Sequence, residues 1–551
     1  GRNVPDETVP DADKMELGKI YHMGREEKAD LILNRQAMAS HTFVTGSTGT
    51  GKSNAVYHLL DEITKDGRTS FLVVEPAKGE YKNVFGSRAD VKVFGTNPRE
   101  TPLLRINPFA FPQDIHILEH IDRLVEIFNA CWPMYAAMPA VLKDAIERSY
   151  QKVGWDLRNS ESEKGVFPTF FDLLDILPGV IEESHYSKDT QSDYVGALCT
   201  RVKSLTNGIY GSVFCAEDAL SDAELFDCNV VVDLSRVGSM ETKSLLMGIL
   251  VMKLQEYRMC GSEMNSRLRH VTVLEEAHNL LRKTSAEQSQ EGANLQGKSV
   301  EMLANAIAEM RTYGEGFIIA DQAPGLLDMS VIRNTNTKII LRLPDEEDRK
   351  LVGKSAALKE AQIDELSKLP LGVAAVYQNE WPEAVLCKIE AYPMPENAVY
   401  HKPSKMPHEI NAEFVFGQLA AGKELEPLSI SEMEQLKLWL KRHEMMLKPE
   451  DGRYLEQVFA GGELDVAKTR KAVFNFFGGI STVVDYCAAA EKSFTPRKEF
   501  LEQLQGQYGL KAAAADWVLN SVISMGMSLN PDAKAVDNLR TNFEQQGGRV
   551  L

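Results

Sequence analysis

Residues 42–60 read Thr-Phe-Val-Thr-Gly-Ser-Thr-Gly-Thr-Gly-Lys-Ser-Asn-Ala-Val-Tyr-His-Leu-Leu, and this stretch contains the most informative motif of the chain. A short apolar strand, Thr42–Thr45, leads into a glycine-rich loop at 46–53, and an amphipathic helix follows. The spacing G-x-x-x-x-G-K-S between a strand and a helix is typical of a phosphate-binding loop. The sequence therefore predicts a site that binds a nucleoside triphosphate.

The residues of this loop have separate tasks. Glycine removes the Cβ atom, so the backbone can curl and aim several N–H groups at the phosphates. The helix that begins near Lys52 adds the positive end of its dipole. Lys52 reaches the β- and γ-phosphates of ATP, and the Ser53 hydroxyl ligates Mg²⁺. The residues predicted to bind the nucleotide are Gly46, Ser47, Thr48, Gly49, Thr50, Gly51, Lys52 and Ser53.

The composition is typical of a soluble globular protein, with 44% hydrophobic and 25% charged residues among 551. This length predicts two or more domains. The longest apolar run, around Leu245–Met252, is far shorter than the roughly 18 residues of a membrane span. The 7 cysteines are scattered without a C-x-x-C pair, which predicts reduced thiols, no zinc site and a cytoplasmic protein. A net charge of −18 argues against a surface that coats DNA generally, but it is compatible with a local basic channel.

Between Leu17 and residue 402, short apolar runs alternate with helical stretches. Several of the runs consist of consecutive Val, Ile and Leu, as in strands that are buried on both faces. The alternation predicts an α/β domain in which helices flank a mostly parallel sheet. The predicted strands are 42–45, 70–74, 91–94, 229–233, 270–274, 316–320, 338–341, 373–377 and 383–389.

Three other segments differ from this alternation. Residues 1–16 are rich in Pro and Asp, which predicts a linker or arm. Residues 107–225 have helical spacing of apolar residues, which predicts a helical insertion in the nucleotide-binding domain. Residues 403–551 are again helical and are interpreted as a separate C-terminal helical domain. Its stretch 495–525 is similar to a DNA-reading helix-turn-helix, although such pairs are more often plain helical packing.

A second motif, His270-Val-Thr-Val-Leu-Glu-Glu-Ala-His-Asn-Leu-Leu281, places two adjacent acids at the end of an apolar strand. Beside a phosphate-binding loop, Glu275 is predicted to hold Mg²⁺ and Glu276 to polarise the attacking water as general base. Side chains of consecutive strand residues point to opposite faces. The two acids therefore share one site only if the strand ends there and the backbone turns.

A third region, 311–324, contains a predicted strand that leads to Gln322 at the ligand-binding edge of the sheet. Gln322 can contact the γ-phosphate and the attacking water, or it can simply cap a loop. Arg311 precedes this strand and suits an arginine finger offered to a neighbouring subunit, with Arg333 and Arg342 as rivals. Surface ion pairs are the alternative for all three. The polar stretch 282–298, which holds Arg282, Lys283 and Lys298, is long enough to line a pore as a loop or to be a disordered surface loop.

Five runs of sequence together resemble the HerA family, within the HerA/FtsK group of DNA-pumping ATPases. They lie in the family's order between Leu17 and about Tyr400, which makes the resemblance specific. The runs are TGSTGTGKS at 45–53, EPAKGEY at 75–81, VDLSRVG at 232–238, LEEAHNL at 274–280 and NTKIILRLPD at 336–345.

This resemblance implies a RecA-like P-loop NTPase core, a homo-hexameric ring, ATP sites at subunit boundaries and DNA in a central pore. It also implies a nuclease or sirtuin-like effector partner, in DNA-end processing or anti-phage defence. Within the family pattern, Glu276 is the catalytic acid and Arg311 matches the arginine of a G-R-[KR]-x-G stretch. Two positions depart from the pattern, because Glu275 stands where many members have Asp and Met310 replaces the glycine before Arg311.

Three functions remain in competition at this point. The first is a hexameric, ATP-driven DNA translocase or helicase. The second is a motor resembling the type IV secretion ATPases, which would move a protein or nucleoprotein. The third is a nucleotide-gated scaffold that assembles an effector and barely moves DNA, and DNA-stimulated ATPase activity would separate the first from the third.

Overall fold

The protein is described by a computed structural model that divides it into two compact units, residues 1–402 and 403–551. The described residues are 9–550 without 66, 136, 163–164, 217, 262–263, 285–289, 395–397, 404–411, 421, 423–435, 437–447, 460–461, 509 and 511. Each unit has its own hydrophobic core.

An eleven-stranded sheet forms the centre of the first unit, and its strand order is β2-β1-β13-β12-β11-β3-β10-β9-β4-β8-β5. Its central strands, from β11 to β5 in this order, are parallel. The strands are β1 Lys14–His22, β2 Arg25–Asn34, β3 Thr42–Thr45, β4 Ser70–Glu75, β5 Val91–Gly95, β8 Asn229–Asp233, β9 His270–Glu275, β10 Glu315–Asp321, β11 Thr337–Ile340, β12 Val373–Gln378 and β13 Val385–Ile389; a separate two-stranded hairpin consists of β6 Trp155–Asp156 and β7 Glu161–Ser162. All nine predicted strands are present within two residues at either end, which confirms the α/β fold with a mostly parallel sheet.

The hairpin of β1 and β2 was not predicted from the sequence. β1 pairs antiparallel with β13 and β2. Met15 is 1% exposed, so the prediction of a linker over 1–16 is wrong for residues 14–16, while residues 1–8 lie outside the described part of the chain. The first part of β2, Arg-Glu-Glu-Lys-Ala-Asp at 25–30, is charged and exposed, and it therefore lacks the apolar pattern by which a strand is predicted.

Helices cover both faces of the sheet. Neighbouring residues of β3 illustrate this arrangement, since Phe43 belongs to the core on one face and Val44 to the core on the other. The helices of the first unit are α1 Lys52–Thr64, α2 Tyr81–Phe85, α3 Ile117–Cys131, α4 Met138–Lys152, α5 Phe170–Glu183, α6 Lys188–Tyr194, α7 Thr200–Thr206, α8 Gly208–Phe214, α9 Asp222–Phe226, α10 Met240–Gly261, α11 Gln290–Glu309, α12 Met329–Arg333, α13 Glu346–Ser355 and α14 Glu360–Glu365.

The segment 107–225 contains helices α3 to α9 and, in addition, the short β6–β7 hairpin. Many of its apolar side chains, among them Ile121, Leu124 and Phe128, are fully buried and continue the core on the Phe43 face of the sheet. Within this segment, residues 192–206 consist of the end of α6, a π-helical turn at Val195–Cys199 and α7.

Within the described residues of the second unit, the regular secondary structure is helical. Its helices are α15 Ala412–Ala420, α16 Pro449–Phe459, α17 Val466–Phe476, α18 Gly479–Lys492, α19 Pro496–Tyr508, α20 Ala512–Leu529 and α21 Ala533–Gln545. Helices α19 and α20 cover the stretch that is similar to a helix-turn-helix, and DNA readout there stays a prediction. Among the described helices, none is by itself long and apolar enough to cross a membrane, and only α17 and α18, bent by 68°, meet that test together by length and composition.

Candidate nucleotide-binding site

The candidate site lies at the carboxyl edge of the sheet, where β3, β10 and β9 end side by side. In the parallel register, Thr45 of β3 is opposite Asp321 of β10, and Ala320 is opposite Glu275 of β9. Ligands of open α/β sheets bind at this edge. The strand order thus brings together residues that are more than 200 positions apart in the chain.

The loop 46–53 is held in place by backbone contacts on the β11 and β12 side. The Ser47 N–H donates to the Arg342 carbonyl at 3.0 Å, and the Gly372 N–H donates to the Thr50 carbonyl at 3.0 Å. Gly51 has φ of 106°, a conformation that L side chains rarely adopt. A side chain at Gly46 would lie 2.8 Å from Leu341. The glycines therefore allow the loop to curl tightly against the sheet.

Lys52 is buried between the two predicted catalytic acids. Its Nζ lies 3.1 Å from Glu275 Oε2 and 3.1 Å from Glu276 Oε1. Burial disfavours the charged amine, but the attraction of the two carboxylates outweighs it and raises the pKa of Lys52. The structure therefore places the three residues at one point, with the lysine charged.

The backbone turns at Glu276. This turn is required if both acids are to share one site, because consecutive side chains of a continuous strand would point to opposite faces. Glu276 has φ of 44° and ψ of 52°, a left-handed conformation that costs a non-glycine residue roughly 1–2 kcal/mol. This turn lets the side chains of consecutive residues reach the same amine. The second oxygen of the carboxylate, Oε2, is buried and has no hydrogen-bond partner, which is the arrangement expected where a bound water or ligand completes the site.

His278 and Asp321 lie beside Glu276. The backbone N–H and Nδ1 of His278 both donate to Asp321 Oδ2 at 2.8 Å, and Nδ1 lies 3.6 Å from Glu276. The hydrogen bond to Asp321 raises the pKa of His278. These three side chains are close enough to ligate a metal ion. Because Nδ1 and Oδ2 are already bonded to each other, the group instead fixes the orientation of the turn that carries Glu276.

Tyr81 orients the other acid. Its hydroxyl donates to Glu275 Oε1 at 2.5 Å, while its backbone N–H donates to Glu75 Oε2 at 3.1 Å. Burial raises the pKa of Glu75 to about 8, against the opposing effect of the N–H donors from Glu80 and Tyr81. The segment after β4 thereby holds the Glu275 carboxylate from the side opposite Lys52.

Gln322 lies beside the loop, as the sequence predicted for its position. The Thr48 hydroxyl donates to Gln322 Oε1 at 3.0 Å. Asp321, the last residue of β10, anchors the turn into Gln322 by accepting the Ala323 N–H at 2.9 Å. Gln322 therefore contacts the loop directly, and its role as a sensor of the γ-phosphate stays a prediction.

The three candidate arginines lie at different places on the domain. Arg311 is exposed in a turn before β10, at the amino edge, about 20 Å from the carboxyl edge by the length of that strand. Arg333 is exposed at the end of α12. Arg342 is exposed and adjoins the loop of its own subunit, because its carbonyl accepts the Ser47 N–H. Arg311 therefore lies far from the site of its own chain.

The expectation of a loop over 282–298 is wrong for its second half, where helix α11 begins at Gln290. Leu295 packs against the core, and the Gln296 side chain donates to the Ala130 carbonyl at 3.0 Å. The polar composition of these first turns masks the helical spacing that continues in Leu303 and Ile307. Residues 285–289 lie outside the described part of the chain.

The first half of that stretch is tied to the segment before α12. Arg282 forms a bridge with Leu327, and the Lys283 N–H donates to the Leu326 carbonyl at 2.8 Å. Both basic side chains are exposed. They form a fixed pair of positive charges a few residues after Glu276.

Sequence reasoning missed four residues of this site: Glu75, Tyr81, His278 and Asp321. Three of them lie within motifs that were quoted for the resemblance, but no spacing rule assigned them a task. Asp321 follows an apolar strand in the same way as Glu275 does. That position was the signal by which it could have been found.

The phosphate-binding loop, the lysine between paired acids and the parallel sheet define a P-loop ATPase. Residues 15–251 match the family model described as "Helicase HerA, central domain". This match confirms the resemblance to the HerA family that was drawn from the sequence motifs.

Curated relatives agree with this assignment. The chain is 25% identical over 394 residues to the DNA double-strand break repair helicase HerA of Sulfolobus acidocaldarius, covering 70% of this chain and 71% of the relative. It is 23% identical over 428 residues to the probable helicase MJECL08 of Methanocaldococcus jannaschii, covering 71% and 75%. Among solved structures, VirB4 of Thermoanaerobacter pseudethanolicus superposes with a TM-score of 0.52 at 18% identity, covering 70% of this chain and 98% of that one. This last likeness shows the fold alone.

Proposed function

We propose that the protein is an ATP-driven DNA translocase that acts as a homo-hexameric ring. The observation that carries this proposal is Lys52 held between Glu275 and Glu276 beside the phosphate-binding loop of a HerA-like domain. The relatives named as helicases support DNA as the substrate that is moved. The proposed roles of single residues rest on the geometry of the described part of the chain.

Hydrolysis begins when Lys52 exchanges its carboxylate partners for the phosphates of ATP. The triphosphate carries more negative charge than the two carboxylates, so the amine gains by the exchange. Glu276 is then free to accept a proton from the attacking water, and its buried Oε2, which accepts no hydrogen bond, is the atom proposed for this task. Thr48 and Gln322 report the presence of the γ-phosphate, because their hydrogen bond joins the loop to the end of β10.

The donors at the site fit Mg²⁺, which prefers oxygen ligands. Ser53 offers a hydroxyl in the first turn of α1, and Glu275 offers a carboxylate whose orientation is set by Tyr81. When bound, Mg²⁺ supplies charge neutralisation at the phosphates. The departure from Asp to Glu at position 275 lengthens the side chain by one methylene, and the hydrogen bond from Tyr81 holds that longer side chain.

A second subunit completes the site in this proposal. Arg311 lies at the amino edge of the sheet and cannot reach the loop of its own chain, whereas a ring brings that edge toward a neighbour. A guanidinium there would stabilise charge on the transferring phosphoryl group. Arg342, which adjoins its own loop, is the rival within one subunit.

DNA is expected to contact a small basic surface, since the net charge is −18. The exposed pair of Arg282 and Lys283 lies a few residues after the turn of Glu276, so DNA contact there would be coupled to the state of the acid. The resemblance supports a nuclease or sirtuin-like effector as partner, in DNA-end processing or anti-phage defence in the cytoplasm. Identifying the proteins that co-purify from the native host would test that part.

The central test measures ATP turnover by the full chain with and without double- and single-stranded DNA, together with its mass by light scattering. We expect several-fold stimulation by DNA and the mass of a hexamer. ATP turnover that no DNA changes would favour the nucleotide-gated scaffold. Export of a protein cargo would favour the secretion-type motor.

A further inference from the structure

An exposed leucine lies next to the phosphate-binding loop. Leu371 is 62% exposed, and it immediately precedes Gly372, whose N–H donates to the Thr50 carbonyl at 3.0 Å. The Leu371 Cα therefore lies about 3.8 Å from the Cα of Gly372, the residue that is hydrogen-bonded to the loop. The hydrolysis chemistry described above does not use this apolar side chain.

The turn that presents Leu371 is held from several sides. Lys388 Nζ donates to the Leu371 carbonyl at 2.5 Å, and the Ile389 N–H donates to the Gly372 carbonyl at 2.9 Å. Leu369, two residues before, is only 5% exposed and anchors the turn in the core. The exposure of Leu371 is thus fixed by the surrounding structure rather than produced by a loose chain end.

The direction of a bound nucleotide follows from the strand order. The acids that mark the γ-phosphate end follow β9, two strands from β3 on one side. Leu371 precedes β12, two strands from β3 on the other side, and β12 runs antiparallel to β11, so its first residues lie at the same carboxyl edge. A nucleotide whose γ-phosphate points toward Glu276 therefore has its ribose and base toward Leu371.

Two polar side chains on the segments around this turn, Asn54 and Lys388, are already engaged. Asn54, in the first turn of α1, donates from Nδ2 to the Glu390 carbonyl at 3.0 Å and accepts the Tyr392 N–H at 2.8 Å. The Lys388 amine is bonded to the Leu371 carbonyl, as described above. An apolar contact with the flat face of a base is what this end of the site offers.

We propose that Leu371 forms the surface against which the base and ribose of the bound nucleotide pack. This inference rests on the proposed nucleotide site and names the part of it that distinguishes a nucleotide from a bare polyphosphate. Packing buries the exposed leucine and the face of the base together, which is favourable in proportion to the apolar area removed from water.

The test compares ADP with inorganic pyrophosphate, because both offer two phosphates and only ADP has a base and a ribose. Dissociation constants are measured by calorimetry on the full chain, so no hydrolysis is required. We expect Leu371→Ala to weaken ADP binding about tenfold, the effect of removing one to two buried methylene contacts. Pyrophosphate binding should not change, and Leu371→Met should restore most of the ADP affinity.

Leu529→Ala, which truncates a half-exposed leucine at the end of α20, is the matched control and should leave both constants unchanged. Equal weakening of ADP and pyrophosphate by Leu371→Ala would show that the leucine only supports the loop, and unchanged ADP binding would show that it touches no nucleoside. Either result overturns the inference while ATP hydrolysis and DNA stimulation can still stand. Conversely, if DNA does not stimulate ATP turnover, Leu371→Ala can still selectively lose ADP affinity.

Discussion

At the scale of single residues, the site depends on one lysine with two alternative sets of partners. Lys52 is 3.1 Å from both acids and is buried with them. Removing one partner from a buried ion pair leaves an uncompensated charge, which is strongly destabilising. Phosphate binding avoids this cost, because Lys52 gains new anionic partners at the moment when it leaves the old ones.

We predict different defects when the lysine and the acid are substituted. Lys52→Ala should lose ATP affinity, because the lysine meets phosphate charge in the ground state. Glu276→Gln should still bind ATP but hydrolyse it at least about 100-fold more slowly, because it acts on water in the transition state. Binding of a fluorescent ATP analogue and single-turnover rates separate the two effects.

Glu347→Gln, at an exposed position in α13, serves as the control for that comparison and should retain wild-type binding and turnover. If Glu276→Gln turned over ATP at near the wild-type rate, Glu276 would not be the general base.

At the scale of elements, the segment between β9 and α11 links the acids to the protein surface. It contains the left-handed turn at Glu276, the anchor from His278 to Asp321, and the exposed pair of Arg282 and Lys283. Because the pair is bridged to Leu326 and Leu327, it has a defined position rather than the freedom of a loop. DNA contact at this pair would therefore occur within a few residues of the predicted catalytic acid, Glu276.

We predict that changing Arg282 and Lys283 together to Ala lowers DNA affinity and flattens its salt dependence. Fewer counterions are released when fewer phosphates are neutralised, so the slope of log K against log salt should fall by roughly 1–2. Fluorescence anisotropy at several salt concentrations measures both quantities. ATP affinity without DNA should stay as in the wild type.

The same net charge is removed by changing Lys143 and Arg148 of α4 to Ala, and both of these side chains are about 40% exposed. This double variant should keep the wild-type slope. A slope that is unchanged by the Arg282 and Lys283 substitutions would place the DNA path on another surface.

At the scale of the whole molecule, the opposite edges of one sheet have different tasks in the proposed ring. The carboxyl edge holds the loop and the acids, and the amino edge holds Arg311. Gly314 allows the tight turn after Arg311, since a side chain there would lie 2.1 Å from the Arg267 carbonyl. Buried Glu315, paired with Arg258 and His270, then fixes the start of β10. The backbone that carries Arg311 is therefore held in a defined position.

If Arg311 completes a neighbour's site, two inactive variants should restore activity when mixed. Arg311→Ala and Glu276→Gln should each be nearly inactive, because loss of an arginine finger costs roughly 10³–10⁵ in rate. In mixed rings, an intact Glu276 meets an intact Arg311 at some boundaries. ATPase rate is measured against mixing ratio after subunit exchange has been verified.

Arg333→Ala and Arg342→Ala are each mixed with Glu276→Gln in the same way. We expect neither mixture to gain ATPase activity over its separate components. Rescue of one of them in place of Arg311 would identify the true finger. Full activity in a verified monomer would overturn the ring mechanism.

Elements with local sequence signals could be predicted without the structure. The spacing of residues 46–53 and the buried runs of Val, Ile and Leu identified the loop and nine strands, because turn geometry and burial on both faces act over a few residues. Adjacent acids after a strand likewise indicated Glu275 and Glu276. The start of α11 and the charged hairpin of β1 and β2 were missed because polar residues mask their periodicity.

Which distant residues come together depends on the assembled fold. Strand order brings β3 beside β10 and β9, so Asp321 and the acids reach the loop from hundreds of residues away. The bond from Tyr81 to Glu275 and the position of Leu371 beside Thr50 depend in the same way on packing across the sheet. No local pattern encodes such contacts, because their energy comes from the assembled core and not from the neighbouring residues in the chain.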